Sequence, residues 1–97
     1  MNGMTFLYEL QPYYDRAKSF YRKANVYRNN EGCVFLMSYS TIVLEMRDKL
    51  ISPTGDTQIV IYNWYSNTTA RHINEFLQQN GFNKMSKKEL EGGCILW

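Results

Sequence analysis

The chain has 97 residues, 44% hydrophobic and 21% charged, with a formal net charge of +2. That is enough for one core and too little for a second, so one domain over residues 1–97 is expected. Cys33, Cys94 and His72 are the only Cys and His residues, and a structural zinc wants four such ligands, so no metal or other cofactor is expected. The opening MNGMTFLYEL has neither a charged n-region nor a long apolar run, which predicts no membrane partner and a place in the cytoplasm.

Residues 4–10, MTFLYEL, fit one helical turn or a short strand, and Pro12 stops either. Residues 13–28 read YYDRAKSFYRKANVYR, where Arg16, Lys18, Arg22, Lys23 and Arg28 face one carboxylate, Asp15. Such clustering predicts one basic surface on a near-neutral body. From Ser19 to Tyr27 a rough period of two puts Phe20, Ala24 and Val26 on one side and Tyr21, Lys23, Asn25 and Tyr27 on the other, the pattern of a first, edge strand.

Asn29-Asn30-Glu31-Gly32 is a turn signal, and Cys33–Met37 follows as a second strand. Ile42–Arg47 is a third, joined to the second by a tight hairpin near Tyr39-Ser40. After a loop at Asp48–Asp56, the run Thr57–Trp64 is apolar on both faces, which places it away from an edge. Ala70, Ile73, Phe76 and Leu77 then share one stripe of a helix over 67–80, with Ser66 placed as its cap, Gly81 as its left-handed stop and Phe82 as the apolar contact after it. Ser86-Lys87-Lys88-Glu89 has capping-box spacing, which predicts a helical turn from Lys87 to Glu91 ended by Gly92-Gly93. The expected fold is α+β: a four-stranded antiparallel β-meander, one packed amphipathic helix and a short C-terminal helical turn. The apolar end Cys94-Ile95-Leu96-Trp97 needs burial on the sheet or on a second copy.

Nothing in the chain reads as catalytic. His72 lies at the border of the apolar stripe with no nucleophile placed beside it, the acids are scattered, and no glycine-rich phosphate loop occurs. The expectation is a protein that is not an enzyme. Binding has more behind it, because aromatics interleaved with cations suit single-stranded nucleic acid as well as protein. Lys18, Tyr21, Arg22, Lys23, Tyr27 and Arg28 form the expected contact surface, Arg71 and His72 a second candidate at the helix start, and Ile95, Leu96 and Trp97 a surface for self-association.

Tyr14-Asp15, Lys18-Ser19-Phe20-Tyr21, Lys23-Ala24, Ser38-Tyr39 with Thr41 and Val43, Trp64-Tyr65-Ser66, Thr68-Thr69, and Arg71-His72-Ile73-Asn74-Glu75-Phe76-Leu77 ending at Asn80-Gly81-Phe82 together resemble a family of short proteins from bacteriophages, plasmids and Gram-positive bacteria with no assigned function. The resemblance covers about residues 13–82. That family often has Gly where this chain has Arg22, which implies a bulge in the first strand. The resemblance also implies a protein of a mobile element with no catalytic residues to carry over. Small proteins of that kind are often inhibitors or adaptors of host machinery, anti-CRISPR proteins among them. The expectation is therefore a non-catalytic inhibitor of a host defence complex, such as a CRISPR nuclease, that docks on protein or guide RNA through the basic strand. The alternatives are a nucleic-acid-binding accessory protein of a phage or plasmid, and a self-associating structural protein that forms a homodimer through its tail.

Overall fold

A computed structural model describes residues 3–47, 57–62, 67–91 and 94–96. Its strands form one antiparallel sheet in which spatial order equals chain order: β1 (Met4–Glu9), β2 (Ala24–Asn29), β3 (Val34–Ser38), β4 (Thr41–Arg47), β5 (Gln58–Ile61) and the three-residue β6 (Cys94–Leu96). Helices α1 (Asn67–Gln79) and α2 (Lys87–Glu91) lie in sequence between β5 and β6. The fold is α+β with a meander at its centre, as the sequence predicts, but the sheet is wider than four strands.

Both additions come from pairing at a distance. Residues 4–9 are extended because β2 supplies a ladder for them, with Phe6 opposite Tyr27 and their rings edge to face at 5.6 Å. Leu10 N–H then donates to Ala24 O at 2.9 Å and its side chain is fully buried. At the other end β6 pairs with β5, Ile95 opposite Val60 and Leu96 opposite Ile59. This places the backbone of Ile95 and Leu96 in the chain's own sheet, and leaves β5 between two neighbours as its apolar faces predict. Trp97, Ser66, Trp64, Gly92 and Gly93 lie outside the described residues.

The expected first strand, Ser19 to Tyr27, is corrected in two ways. It begins at Ala24, because Phe20 to Lys23 is a tight turn: Lys23 N–H donates to Phe20 O at 2.9 Å across Tyr21 and Arg22, whose φ values are 52° and 64°. Two successive residues with positive φ cannot continue a strand, and they are what a type I′ turn requires. The implied irregularity at Arg22 is therefore a left-handed turn and not a bulge. β2 is also no edge strand, since β1 covers its outer side.

One face of the sheet carries Ala24, Val26, Leu36, Leu44, Ile59 and Ile61 against Ala70, Ile73, Phe76 and Leu77 of α1, with Leu10, Phe20 and Leu90 closing the same cluster. Each large side chain fully removed from water contributes about 1.5–3 kcal/mol. The helix stops as its local signals dictate. Gly81 has φ 85°, Phe82 N–H donates to Leu77 O and Gly81 N–H to Gln78 O, the paired bonds of a Schellman motif. The capping box also forms: Ser86 N–H donates to Glu89 Oε1 at 2.9 Å and Glu89 N–H to Ser86 Oγ at 3.3 Å.

Candidate functional site

Between β1 and β2 the chain crosses residues 10–23 without regular structure, yet it is pinned along its length. Glu75, on α1 and nearly inaccessible to water, accepts hydrogen bonds from the consecutive amides of Tyr13, Tyr14 and Asp15 at 2.8–3.2 Å, and from Gln79 Nε2 at 2.6 Å. A buried carboxylate is expensive unless donors surround it, and here they do. Asp15 in turn grips the Arg71 guanidinium through both oxygens and accepts from Ala17 N–H. The hydrogen bond from Arg71 is the main reason that the Asp15 pKa falls to about 2, so Asp15 is ionised at neutral pH. Further along, Phe20 is buried, Ser19 Oγ accepts from Tyr21 N–H, and Glu9 Oε2 accepts from Arg22 N–H at 2.9 Å.

A loop fastened this closely holds its exposed side chains in place. Tyr13, Tyr14 and Tyr21 are 78, 60 and 73% exposed, and Arg16, Lys18, Arg22 and Lys23 are exposed among them. Tyr39, 49% exposed in the β3–β4 hairpin, joins the turn at Phe20–Lys23: its N–H donates to Lys23 O at 2.6 Å, and Lys23 Nζ lies 5.9 Å from its ring centroid, within cation–π reach. Tyr39 has φ 58°. Among the described residues Tyr21, Arg22 and Tyr39 are the non-glycine residues with positive φ, and all three meet at this corner. A left-handed backbone costs an L-residue of this size roughly 1–2 kcal/mol, which Gly or Asn largely avoids.

The six basic-strand candidates therefore separate. Lys18, Tyr21, Arg22 and Lys23 lie on the loop. Tyr27 is half-buried against Phe6, and Arg28 sits toward the other end of β2, about 13 Å from Ala24 at about 3.3 Å per residue. They do not share the corner.

The helix-start candidates change meaning. Arg71 is committed to Asp15, although half of its side chain is exposed. His72 is not a border residue but fully buried, because Phe20 and Tyr39 cover the flank of the helix that the sheet leaves open, with ring centroids at 4.6 and 5.9 Å. His72 Nδ1 and Ser38 Oγ share a hydrogen bond of 2.8 Å, and Ser38 Oγ and Thr69 Oγ1 another of 3.0 Å. Burial, then the nearby Arg71 charge, lowers the His72 pKa to about 4, so the ring is neutral at physiological pH. Ser and His at this distance are the parts of a nucleophile–base pair, but both are sealed from any substrate. Cys33 is likewise buried, and desolvation, then Glu45, pushes its thiol pKa up and away from a reactive thiolate.

Sequence reasoning left Tyr13, Tyr14, Tyr39 and Lys84 off the expected contact surface, and Arg16 too, although it belongs to the basic cluster. Tyr39 carried a usable signal, a bulky ring at a hairpin position that favours Gly or Asn. Lys84 carried none. It comes from the loop after α1 to line, with Tyr14, Asp15, Arg16 and Arg71, an open cleft of about 450 Å³. Among the described residues no group of three or more His, Cys, Asp or Glu side chains is placed to hold a metal, and no helix is long and apolar enough to cross a membrane.

Residues 8–92 match the model of a protein family described as a family of unknown function, DUF8033. No curated protein and no solved structure matches the chain.

Proposed function

The chain belongs to the DUF8033 family, and on that footing we propose that it is a non-catalytic binding protein whose corner of Tyr21, Arg22, Lys23 and Tyr39, extended by Lys18, takes single-stranded RNA. The observation that carries this reading is the meeting, at one exposed corner, of the three residues other than glycine that are left-handed among the described residues. Strain of that kind persists where the side chains themselves are needed, and here they are two rings and a guanidinium. Rings stack on bases irrespective of sequence, and cations follow phosphates. The burial of Ser38, His72 and Cys33 supports the non-catalytic part.

In its most concrete form the RNA is the guide of a host defence complex such as a CRISPR nuclease, which the protein inhibits by occupying it. The resemblance to proteins of mobile elements supports this form. A phage or plasmid accessory protein acting on free nucleic acid would use the same corner.

The test is fluorescence anisotropy of a labelled single-stranded RNA. With about three cations neutralising phosphates, affinity should fall about 20-fold between roughly 50 and 200 mM salt, and Lys23→Glu should weaken every sequence alike. A flat salt response would overturn the reading. Loss of guide-directed cleavage by a CRISPR nuclease on adding the protein, reversed by excess RNA, would support the inhibitor form; unimpeded cleavage in a panel of such nucleases would leave only the accessory role.

A further inference from the structure

Three cations distant in sequence converge on one cleft. Arg16 comes from the loop before β2, Arg71 from the second turn of α1 and Lys84 from the loop before α2; among the described residues Asp15 is the carboxylate that lines the cleft with them, and Glu75 lines a smaller pocket that shares Tyr14, Asp15, Arg71 and Lys84 with it. Like charges gathered this way repel, so a fold that holds them together leaves an uncompensated demand for negative charge. Asp15 meets it only in part: its oxygens are already occupied by Arg71 and Ala17 N–H, and its one charge is shared between Arg71 and, at longer range, Lys84. Among the described residues neither Arg16 nor Lys84 makes an ion pair.

The walls are anchored independently of the cations. Glu75 holds the backbone of Tyr13, Tyr14 and Asp15 just before Arg16. Asn74 holds the residue after Lys84 from both sides, Met85 N–H donating to Asn74 Oδ1 at 2.8 Å and Asn74 Nδ2 to Met85 O at 3.0 Å. Asp15 fixes the plane of the Arg71 guanidinium through Nε and Nη2, so that Nη1 and the outer edge of the fork are oriented without using them. Preorganised, planar donors beside two exposed cations suit a tetrahedral oxyanion.

We infer that this cleft is a phosphate-binding subsite, in which Arg16, Arg71 and Lys84 hold the oxyanion and the exposed Tyr14 ring flanks it for an adjoining base or sugar. The subsite deepens the RNA reading, on which the identity of the whole ligand rests, and it extends the contact surface from the Tyr39 corner along the loop to α1. The phosphate comes either from a strand terminus or from an internal phosphodiester.

NMR of ¹⁵N-labelled protein tests this with inorganic phosphate, with chloride at matched ionic strength as the control, and then with tetrauridylate carrying either a 5′-phosphate or a 5′-hydroxyl. Saturable shifts of Arg71 Nε–Hε and the Tyr14 amide are expected with phosphate and not with chloride. Arg16→Gln and Lys84→Gln, both exposed and outside the anchoring network, should each weaken phosphate binding roughly fivefold, while Arg28→Gln, toward the far end of β2, should leave it unchanged. Tighter binding of the 5′-phosphorylated strand assigns the terminus; equal binding assigns the internal diester. If the strand binds while Arg71 and Tyr14 stay unperturbed, the subsite is wrong and the RNA reading stands. If phosphate binds as expected and neither strand does, the subsite stands and the RNA reading fails. Absence of a saturable phosphate shift at Arg71, or shifts indifferent to Lys84→Gln, would overturn the inference.

Discussion

The stretch Arg71–Glu75 and the corner formed by Tyr21, Arg22, Lys23 and Tyr39 are both rich in polar side chains, yet they are opposite in kind. On the helix each of these side chains has an internal partner, Arg71 in Asp15, His72 in Ser38, Asn74 in the Met85 backbone and Glu75 in three loop amides, although His72 Nε2 is buried without one among the described residues. At the corner the backbone is strained and the side chains point to water. Polar density alone therefore does not locate a binding surface. What separates a fastener from a contact is how much of its hydrogen-bonding capacity is already used within the fold, and Arg71, which gives Asp15 only Nε and Nη2, stands between the two.

That contrast can be broken most forcefully at Glu75. Glu75→Ala leaves three loop amides without their acceptor and should destabilise the protein by about 3 kcal/mol in urea unfolding, with loss of RNA affinity because the loop is no longer held. A change below about 1 kcal/mol would mean that the loop is not held by this carboxylate.

His72 gives a pH test of the same half. Its folded pKa of about 4 lies below the ordinary 6.5, so below about pH 6.5 the unfolded chain takes up the proton first. Stability is complete above that pH, declines as pH falls toward 4 and levels off below it, by at most about 3 kcal/mol from this group. Asp15, whose pKa is depressed from 3.8 to about 2, adds its own decline in that lower window. Urea midpoints across pH should show the upper slope in the natural protein and not in His72→Leu. A slope that survives the substitution would assign it elsewhere.

The corner should respond in the opposite sense. Replacing Tyr21 and Arg22 by Asn and Gly, the favoured pair for two positive φ values, should raise stability by about 1 kcal/mol while weakening RNA binding. Gain of stability with unchanged binding would mean that the strained side chains serve no contact. The smallest effect is expected from Arg28→Gln, which lies away from the corner and should change RNA affinity less than about twofold.

Much of the fold was legible wherever the deciding forces were local. The stripe of Ala70, Ile73, Phe76 and Leu77, the stop at Gly81-Phe82 and the Ser86–Glu89 box each depend on neighbours within a few residues and form as read, although Asn74 and Glu75, which the helical period turns away from the stripe, are buried too because the loop before β2 and the Met85 backbone cover them. The candidate site was legible only in part. Lys18, Tyr21, Arg22 and Lys23 stand out because they cluster in sequence, whereas Tyr39 reaches Lys23 through a hairpin and Lys84 reaches Asp15, Arg16 and Arg71 through a loop. Period-two patterning also drew the first strand through Phe20–Lys23, since Phe20 and Ala24 are both buried on the expected side even though a turn separates them.

From the sequence alone follow an α+β chain, a central meander, helix α1 with its stop and an uneven basic charge, because composition, periodicity and capping act over short range. Only the tertiary structure decided that residues 4–9 and 94–96 are strands, that His72 is buried and neutral, and that Arg16, Arg71 and Lys84 share a cleft. Those outcomes depend on which distant segment supplies a ladder, a covering ring or a counter-charge. No local pattern in the chain encodes that choice.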